Sequence, residues 1–532
     1  MKEEIPRELK KAWKDTCKVV LGEEIGELEA YLPWLAEYTN KLVYAKSSIS
    51  GKQVTFTMGE YCSSSKRISL DEVDFNAKYA PLNINEIKDI DSLARAVSER
   101  VCYTGNIVLG NSSNVHSSSN IMDGHFIYNS AHLGGCKYIA YGTVGRQCEY
   151  CFGGNAIAES STCIKCHETT RDKRSFELWF SQSTSDSYYS FNLKNCSNAI
   201  FCFNLQNKNY CVGNIQLEKE KYSKTKVHLI SQIADELKRK KKVIALLDII
   251  NASKLQKPPS LPAPPASKEI LDKKQVEEAF KSTTRILLGK EMTGGLDAYA
   301  SWLSKHIHPT DLCKSAASSA PLWRGNYGNN TILPKERLVS LEESRKLGEL
   351  LKLENSEMES IDLHNAHKFI GKLAYLVCEW YEGTQSNLID CTCYIDSANC
   401  YRTCGPIYSK YAGYSFWPKG SQYAFGADTL FDSSTCVNCY YSTRLTRCFE
   451  LDGCSNCSDS YFCHNCENLS ECMFCFNVKS KRYAVGNVEI GKEEYLKLKA
   501  LLLAELSKKL EKDKTLDIDI YNIGCSKKSR KK

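Results

Sequence analysis

The chain has 532 residues with 27 cysteines, one quarter of its residues charged, and a formal net charge of +7. That length accommodates roughly two to four domains, and no apolar run reaches the roughly 18 residues of a membrane-spanning helix. The start, MKEEIPRELKKAWKD, is charged rather than apolar, so a cytoplasmic protein is expected, with no membrane partner and with cysteines kept as thiols or metal ligands rather than disulfides.

In chain order, 1–108 reads as a helical capping region. Leu9, Ala12, Trp13, Val19 and Val20 share one stripe of a helix near 9–21. Short β segments with Gly, Asn, Ser and Asp at their corners fill 109–217. A helix is expected over 218–256, with the basic run KRKKK at 238–242, and the Pro- and Ala-rich KPPSLPAPPASKE at 257–269 reads as a semi-extended linker. The pattern then restarts, with a second helical capping region over 270–380, a second β stretch over 381–490, and a C-terminal helix with the basic tail KKSRKK over 491–532. Basic runs of this kind are read as solvated helix faces or tails.

The restart is a duplication. AWKDTCKVVLGEEIGELEAYLPWL (12–35) and AFKSTTRILLGKEMTGGLDAYASWL (279–303) share Leu-Gly and a closing L-x-x-Y-x-x-W-L, which pairs Tyr31 with Tyr299 and Trp34 with Trp302. Further on, CIKCHETTRDKRSFEL (163–178) lies over CVNCYYSTRLTRCFEL (436–451), and an offset of 273 holds without a gap from about Ser113 to Tyr222. An ungapped match of that length implies a geometry that admits no insertions.

Within each copy, small residues recur every nine positions. Cys439, Cys448, Cys457, Cys466 and Cys475 form one series, and Cys454, Cys463 and Cys472 another. The series from Ser112 to Cys211 in the first copy carries no charge. Such columns must face inward. They predict a mainly β chain of two tandem parallel β-solenoids with a nine-residue pseudo-repeat, in coils of 18 or 27 residues with the shorter favoured, each preceded and followed by helices that close its ends. Cysteine fills the columns as a small hydrophobe.

CEYC at 148–151 and CIKC at 163–166 also fit a four-thiolate zinc site, so Cys148, Cys151, Cys163 and Cys166 are candidate metal ligands. Against this, Ser421 and Ala424 stand at the positions of Cys148 and Cys151 in the second copy. The repeated TR-x-x-R-x-FEL supplies Arg171, Arg174 and Glu177, matched by Arg444, Arg447 and Glu450. Paired arginines can hold a phosphate or carboxylate; the plainer reading is an Arg–Glu ladder. Tyrosines such as Tyr188, Tyr189, Tyr408, Tyr411, Tyr414, Tyr440, Tyr441 and Tyr461 form either a base-stacking strip or half-buried wall. Asp123 and Asp396 are acids matched in the middle coils of the two β stretches, and no known catalytic motif has supporting context.

CFNLQNKNYCVGNIQLEKEKY (202–222) and CFNVKSKRYAVGNVEIGKEEY (475–495) resemble the closing motif of cysteine-rich C-x-x-C repeat proteins of microbial genomes, a group that often carries the label CaiB/BaiF family. The label implies CoA transfer, but nothing in this sequence matches a CoA-transferase, and the resemblance brings no established activity. The sequence is therefore read as a non-catalytic repeat scaffold that binds through solenoid walls. A protein is the first-choice partner, nucleic acid a weak one, and zinc the sole cofactor suggested. The alternatives are a zinc-dependent nucleic-acid-binding protein and a β-helix enzyme acting on a polymer.

Overall fold

Two large, mostly parallel sheets of 14 and 12 strands occupy 108–216 and 381–489 in the computed structural model, which describes residues 4–261 and 271–525. The expectation of a mainly β chain needs correction, because the molecule is mixed α/β. Helices α1 (Arg7–Leu21), α2 (Lys219–Lys240), α3 (Leu246–Ala252), α4 (Lys274–Leu288) and α5 (Lys492–Asp513) pack between and along the sheets. Most of the expected linker and all of the KKSRKK tail lie outside the described residues.

Successive strands pair in parallel with a register of twelve. Lys137 lies beside Glu149, Glu149 beside Ser161, and Ser161 beside Lys173; Ser185, Ser197 and Asn209 continue the row. Lys410, Gln422, Ser434, Thr446, Ser458 and Ser470 form the matching row in the second half. The repeat is thus twelve residues, not the 18 or 27 expected from the cysteine spacing. The backbone explains the difference. From Asn114 to Gly213, and again from Asn387 to Gly486, every third residue has positive φ. Each triplet gives one residue to the interior, one to the outside and one to the left-handed corner. C-x-x-C is therefore two successive interior positions, and a step of nine is three triplets. A left-handed corner costs an L-residue about 1–2 kcal/mol and is most tolerable for Asn and Asp. Asn114, Asn120, Asn192, Asn195, Asn198, Asn465 and Asn468 all stand there.

The interior positions make one narrow core per sheet, formed by residues such as Ile121, Ile139, Cys151 and Cys166 in the first and Cys436, Cys448, Leu451 and Cys463 in the second. The helices were expected to close the ends, but α1 and α4 lie along the sides. Outward positions twelve apart carry large apolar groups, Phe152, Ile164, Phe176 and Tyr188, all buried. The stripe Leu9, Trp13, Cys17 and Val20 of α1 covers that row. Trp13 meets Phe152 edge-on at 5.2 Å, and the Tyr188 hydroxyl donates to the Val20 carbonyl at 2.8 Å. In the second half, Phe280 of α4 meets Phe425 at 5.2 Å and Tyr461 donates to the Leu287 carbonyl at 2.9 Å. The Leu-Gly of the duplicated motif is a helix stop: Gly22 and Gly289 hold φ of 77° and 71°, a left-handed cap that glycine adopts without strain.

The two halves exchange parts. The 1–108 stretch divides, since α1 serves its own sheet whereas Val54, Phe56, Val97 and Tyr103 join the core around the second one. In return, Cys313, Leu322, Leu338 and Leu376 join the core around the first. The fastenings obey the duplication. Asn204 donates to the Tyr375 carbonyl and Asn477 to the Cys102 carbonyl, each at 2.8 Å. The Leu353 amide donates to the Gly213 carbonyl at 3.0 Å, and the Tyr103 hydroxyl donates to the Ile520 carbonyl at 2.7 Å. A disulfide between Cys62 and Cys525, with Cα atoms 5.9 Å apart, ties the exchanged first-half segment to the C-terminal region. This pair departs from the expectation of thiols or metal ligands in place of disulfides; the other described cysteines are free.

Candidate functional site

Cys148, Cys151, Cys163 and Cys166 all point inward and are at most 2% exposed. Their sulfurs are engaged by the backbone. Cys148 Sγ lies 3.2 Å from the Arg146 and Ile157 carbonyl oxygens, and Cys166 Sγ lies 3.5 Å from that of Ser175. Ser421, the counterpart of Cys148, makes the same pair of contacts to Lys419 and Leu430 at 3.1 and 3.0 Å, and its oxygen accepts the Ser433 amide at 3.2 Å. Thiol and hydroxyl are thus exchangeable because both satisfy interior backbone groups. Burial pushes the Cys166, Cys202 and Cys448 thiols well up, whereas neighbouring thiols pull two others down, Cys136 acting on Cys148 and Cys151 on Cys163. Among the described residues no three His, Cys, Asp or Glu side chains converge to hold a metal ion.

The arginine motif separates into three roles. Arg174 Nε and Nη2 donate to the two Asp186 carboxylate oxygens at 3.0 and 2.6 Å, and Arg447 repeats this with Asp459 at 2.7 and 2.6 Å. These ladders step by twelve residues and use Asp, not the Glu expected. Both arginines are nearly half exposed, so each pair is worth about 0–1 kcal/mol. Arg171 and Arg444 are exposed corner residues. Glu177 and Glu450 are fully buried. Their Oε2 atoms accept the Leu246 and Ile520 amides, each at 2.9 Å, and so fasten the segments that follow α2 and α5. Burial raises Glu177 to about 7 and Glu450 to about 8.

Asp123 and Asp396 also serve the backbone, accepting the Asn111 and Thr384 amides at 2.8 Å. Of the tyrosine set, Tyr188, Tyr189, Tyr414, Tyr440 and Tyr461 are buried, and only Tyr408 is largely exposed, at 57%. Tyr411 stacks on Tyr423 at 5.0 Å and Tyr138 on Tyr150 at 4.8 Å, which places these half-buried rings against each other.

The densest group of titratable side chains lies where the exchanged first-half segment meets the second sheet, and sequence reasoning missed it. His464 Nδ1 pairs with Asp452 Oδ2 at 2.8 Å, Tyr61 donates to the same oxygen at 2.7 Å, and the Thr104 amide donates to His464 Nε2 at 3.1 Å. The backbone amide and the carboxylate occupy both ring nitrogens, so neither is open to a substrate. His306 bridges Glu60 and Asp519, with Asp519 at 3.1 Å. Burial opposes its charge, but the two carboxylates outweigh burial and raise it to about 9. His308 Nδ1 pairs with Asp428 at 2.8 Å and its side chain is 44% exposed. His132 stacks on Tyr441 at 5.1 Å and is pushed down to about 4 by burial and by the charge of His308. The first half carries Asn155 at the position of Asp428, so this network belongs to one copy only. No single stretch signals it, because its members come from six separate segments, 60–61, 104, 132, 306–308, 428–464 and 519. Comparisons with protein-family models, with curated proteins and with solved structures each return no match.

Proposed function

We propose that the chain is a non-catalytic binding scaffold of two tandem β-solenoids with four-sided, twelve-residue coils, and that the open sides take a protein partner. The register of twelve and the left-handed residue at every third position support the coil, since four triplets make four sides. The use of those sides carries the functional reading. One side lies under a helix and the next under the exchanged segment, which leaves two open. On one open side Ser161, Lys173, Ser185 and Ser197 stand in register, matched by Ser434, Thr446, Ser458 and Ser470, and none of them is fully buried. These rows present small polar groups at the strand spacing of about 4.8 Å. The groups of catalytic type are meanwhile spent on backbone, as the thiols, Glu177, Glu450 and His464 illustrate. Weak nucleic-acid contact through the basic runs is compatible with the same reading.

The experiment is hydrogen–deuterium exchange of the full chain with and without a cross-linked partner. Protection is expected along the two serine-rich rows, and Lys173→Glu with Thr446→Glu should weaken binding about tenfold. Protection confined to other surfaces, or turnover of a substrate that is lost in His308→Ala, would overturn the reading.

A further inference from the structure

A cleft of about 440 Å³ opens between the hairpin of strands Thr310–Lys314 and Pro321–Gly325, the short helix Ala300–Leu303, and Arg402 of the second sheet. Trp323 and Leu312, directly opposite each other in the hairpin, form its apolar wall. Leu312 is 59% exposed although it is a large apolar side chain. Ser301 and Ser304 line the cleft with hydroxyls.

Arg402 stands at the polar end. Its guanidinium lies over the rings of Tyr401 and Tyr414, at 5.3 and 5.9 Å. Nε reaches Asp390 at only 3.4 Å, and Nη1 donates to the Tyr414 hydroxyl at 3.3 Å, which itself donates to Asp297 at 2.6 Å. Among the described residues no acceptor bonds Nη2. The fork is therefore held in place by stacking while part of its donor set stays uncommitted, the condition for taking an incoming carboxylate.

The duplication supplies the control. Lys46-Ser47 and Lys314-Ser315 align the two hairpins, so Tyr44 matches Leu312, Thr55 matches Trp323, and Asn129 matches Arg402. In the first half the Tyr44 hydroxyl donates to Asn129 at 2.8 Å, across the place where the cleft would open. In the second half both partners of that bond are replaced. One replacement removes the closing ring, and the other places a guanidinium where the ring was anchored. We propose that this cleft binds a small aromatic carboxylate, its anionic head on Arg402 and its ring against the wall formed by Trp323 and Leu312. This site is independent of the open solenoid sides, so its failure leaves the scaffold reading standing.

The test uses the full chain, titrated by calorimetry and by tryptophan fluorescence with 2-naphthoate, uncharged 2-naphthalenemethanol and inorganic phosphate. One equivalent of naphthoate should bind, with a Kd tighter than about 1 mM. The uncharged analogue should bind about tenfold more weakly or worse. Leu312→Tyr with Arg402→Asn, which copies the first half, should abolish binding while circular dichroism stays unchanged. Tyr44→Leu, Thr55→Trp and Asn129→Arg together should create a second equivalent. Trp323→Thr alone should also abolish binding, and it stands in if the double variant misfolds. Binding retained in these loss variants, phosphate bound in preference to naphthoate, or no saturable binding at all would overturn the proposal.

Discussion

Replacing Cys448 separates two accounts of the interior columns. Cys448 is completely buried, and its sulfur lies 3.5 Å from the Thr446 and Cys457 carbonyl oxygens. Its first-half counterpart, Ser175, donates to the Lys173 carbonyl at 3.0 Å and accepts the Ser187 amide at 3.4 Å. Cys448→Ser keeps the donor and the acceptor in a position already known to hold serine, so it should cost about 1 kcal/mol or less. Cys448→Val fills the space but removes both the donor and the acceptor from this buried position, at about 1–3 kcal/mol. Cys448→Ala removes both and also leaves a void, for about 2–4 kcal/mol in all. Urea midpoints of the full chain, followed by tryptophan fluorescence, should rank wild type and Ser above Val, and Val above Ala. If Val matches or exceeds Ser, the column is merely hydrophobic and the hydrogen-bonding account is wrong.

Glu450 is raised to about 8 from an ordinary 4.5, chiefly by burial and then by Asp519. The folded protein thus keeps a proton that the unfolded chain releases between those values. Its contribution is full at low pH and fades as pH rises through about 8, so Glu450→Gln should flatten the fall of melting temperature over that window; an unchanged slope would show that the carboxyl does not titrate there. His464→Phe installs the residue found at Phe191 and strands Asp452 and the Thr104 amide, so it should cost about 2–4 kcal/mol, with amide exchange speeding first at 102–105. Uniform loosening of the whole chain would count against a local fastening.

Much of the fold is legible in the residues. The offset of 273, the Leu-Gly helix stops and the uncharged inward columns are local or periodic signals, and all three correspond to real elements. The register of twelve is hidden by composition. Interior positions 454, 457, 460, 463, 466, 469, 472 and 475 read Cys, Cys, Ser, Cys, Cys, Leu, Cys and Cys. Cysteine at two of every three triplets makes nine the visible period, although three residues make a side and twelve a layer. The Arg174–Asp186 and Arg447–Asp459 pairs were open to view in the duplicated sequence, but only a known register identifies them as neighbours. The exchange of segments and the His308–Asp428 pair have no local signature, because their contacts join residues more than a hundred positions apart.

The crossing segments also set an order of assembly. During translation the whole first sheet emerges before residues 313–376, which complete its cover, have been made. Buried rings such as Phe191 and Phe203 then lack part of their cover, for several seconds at ordinary synthesis rates of about 5–20 residues per second. The nascent first half should therefore need a holding chaperone until the second half arrives. Its own segment around Tyr103 meanwhile waits for residues still farther on, up to Ile520. A chain cut at the linker would therefore leave two fragments that each lack part of their cover, and the two should fold better together than either does alone.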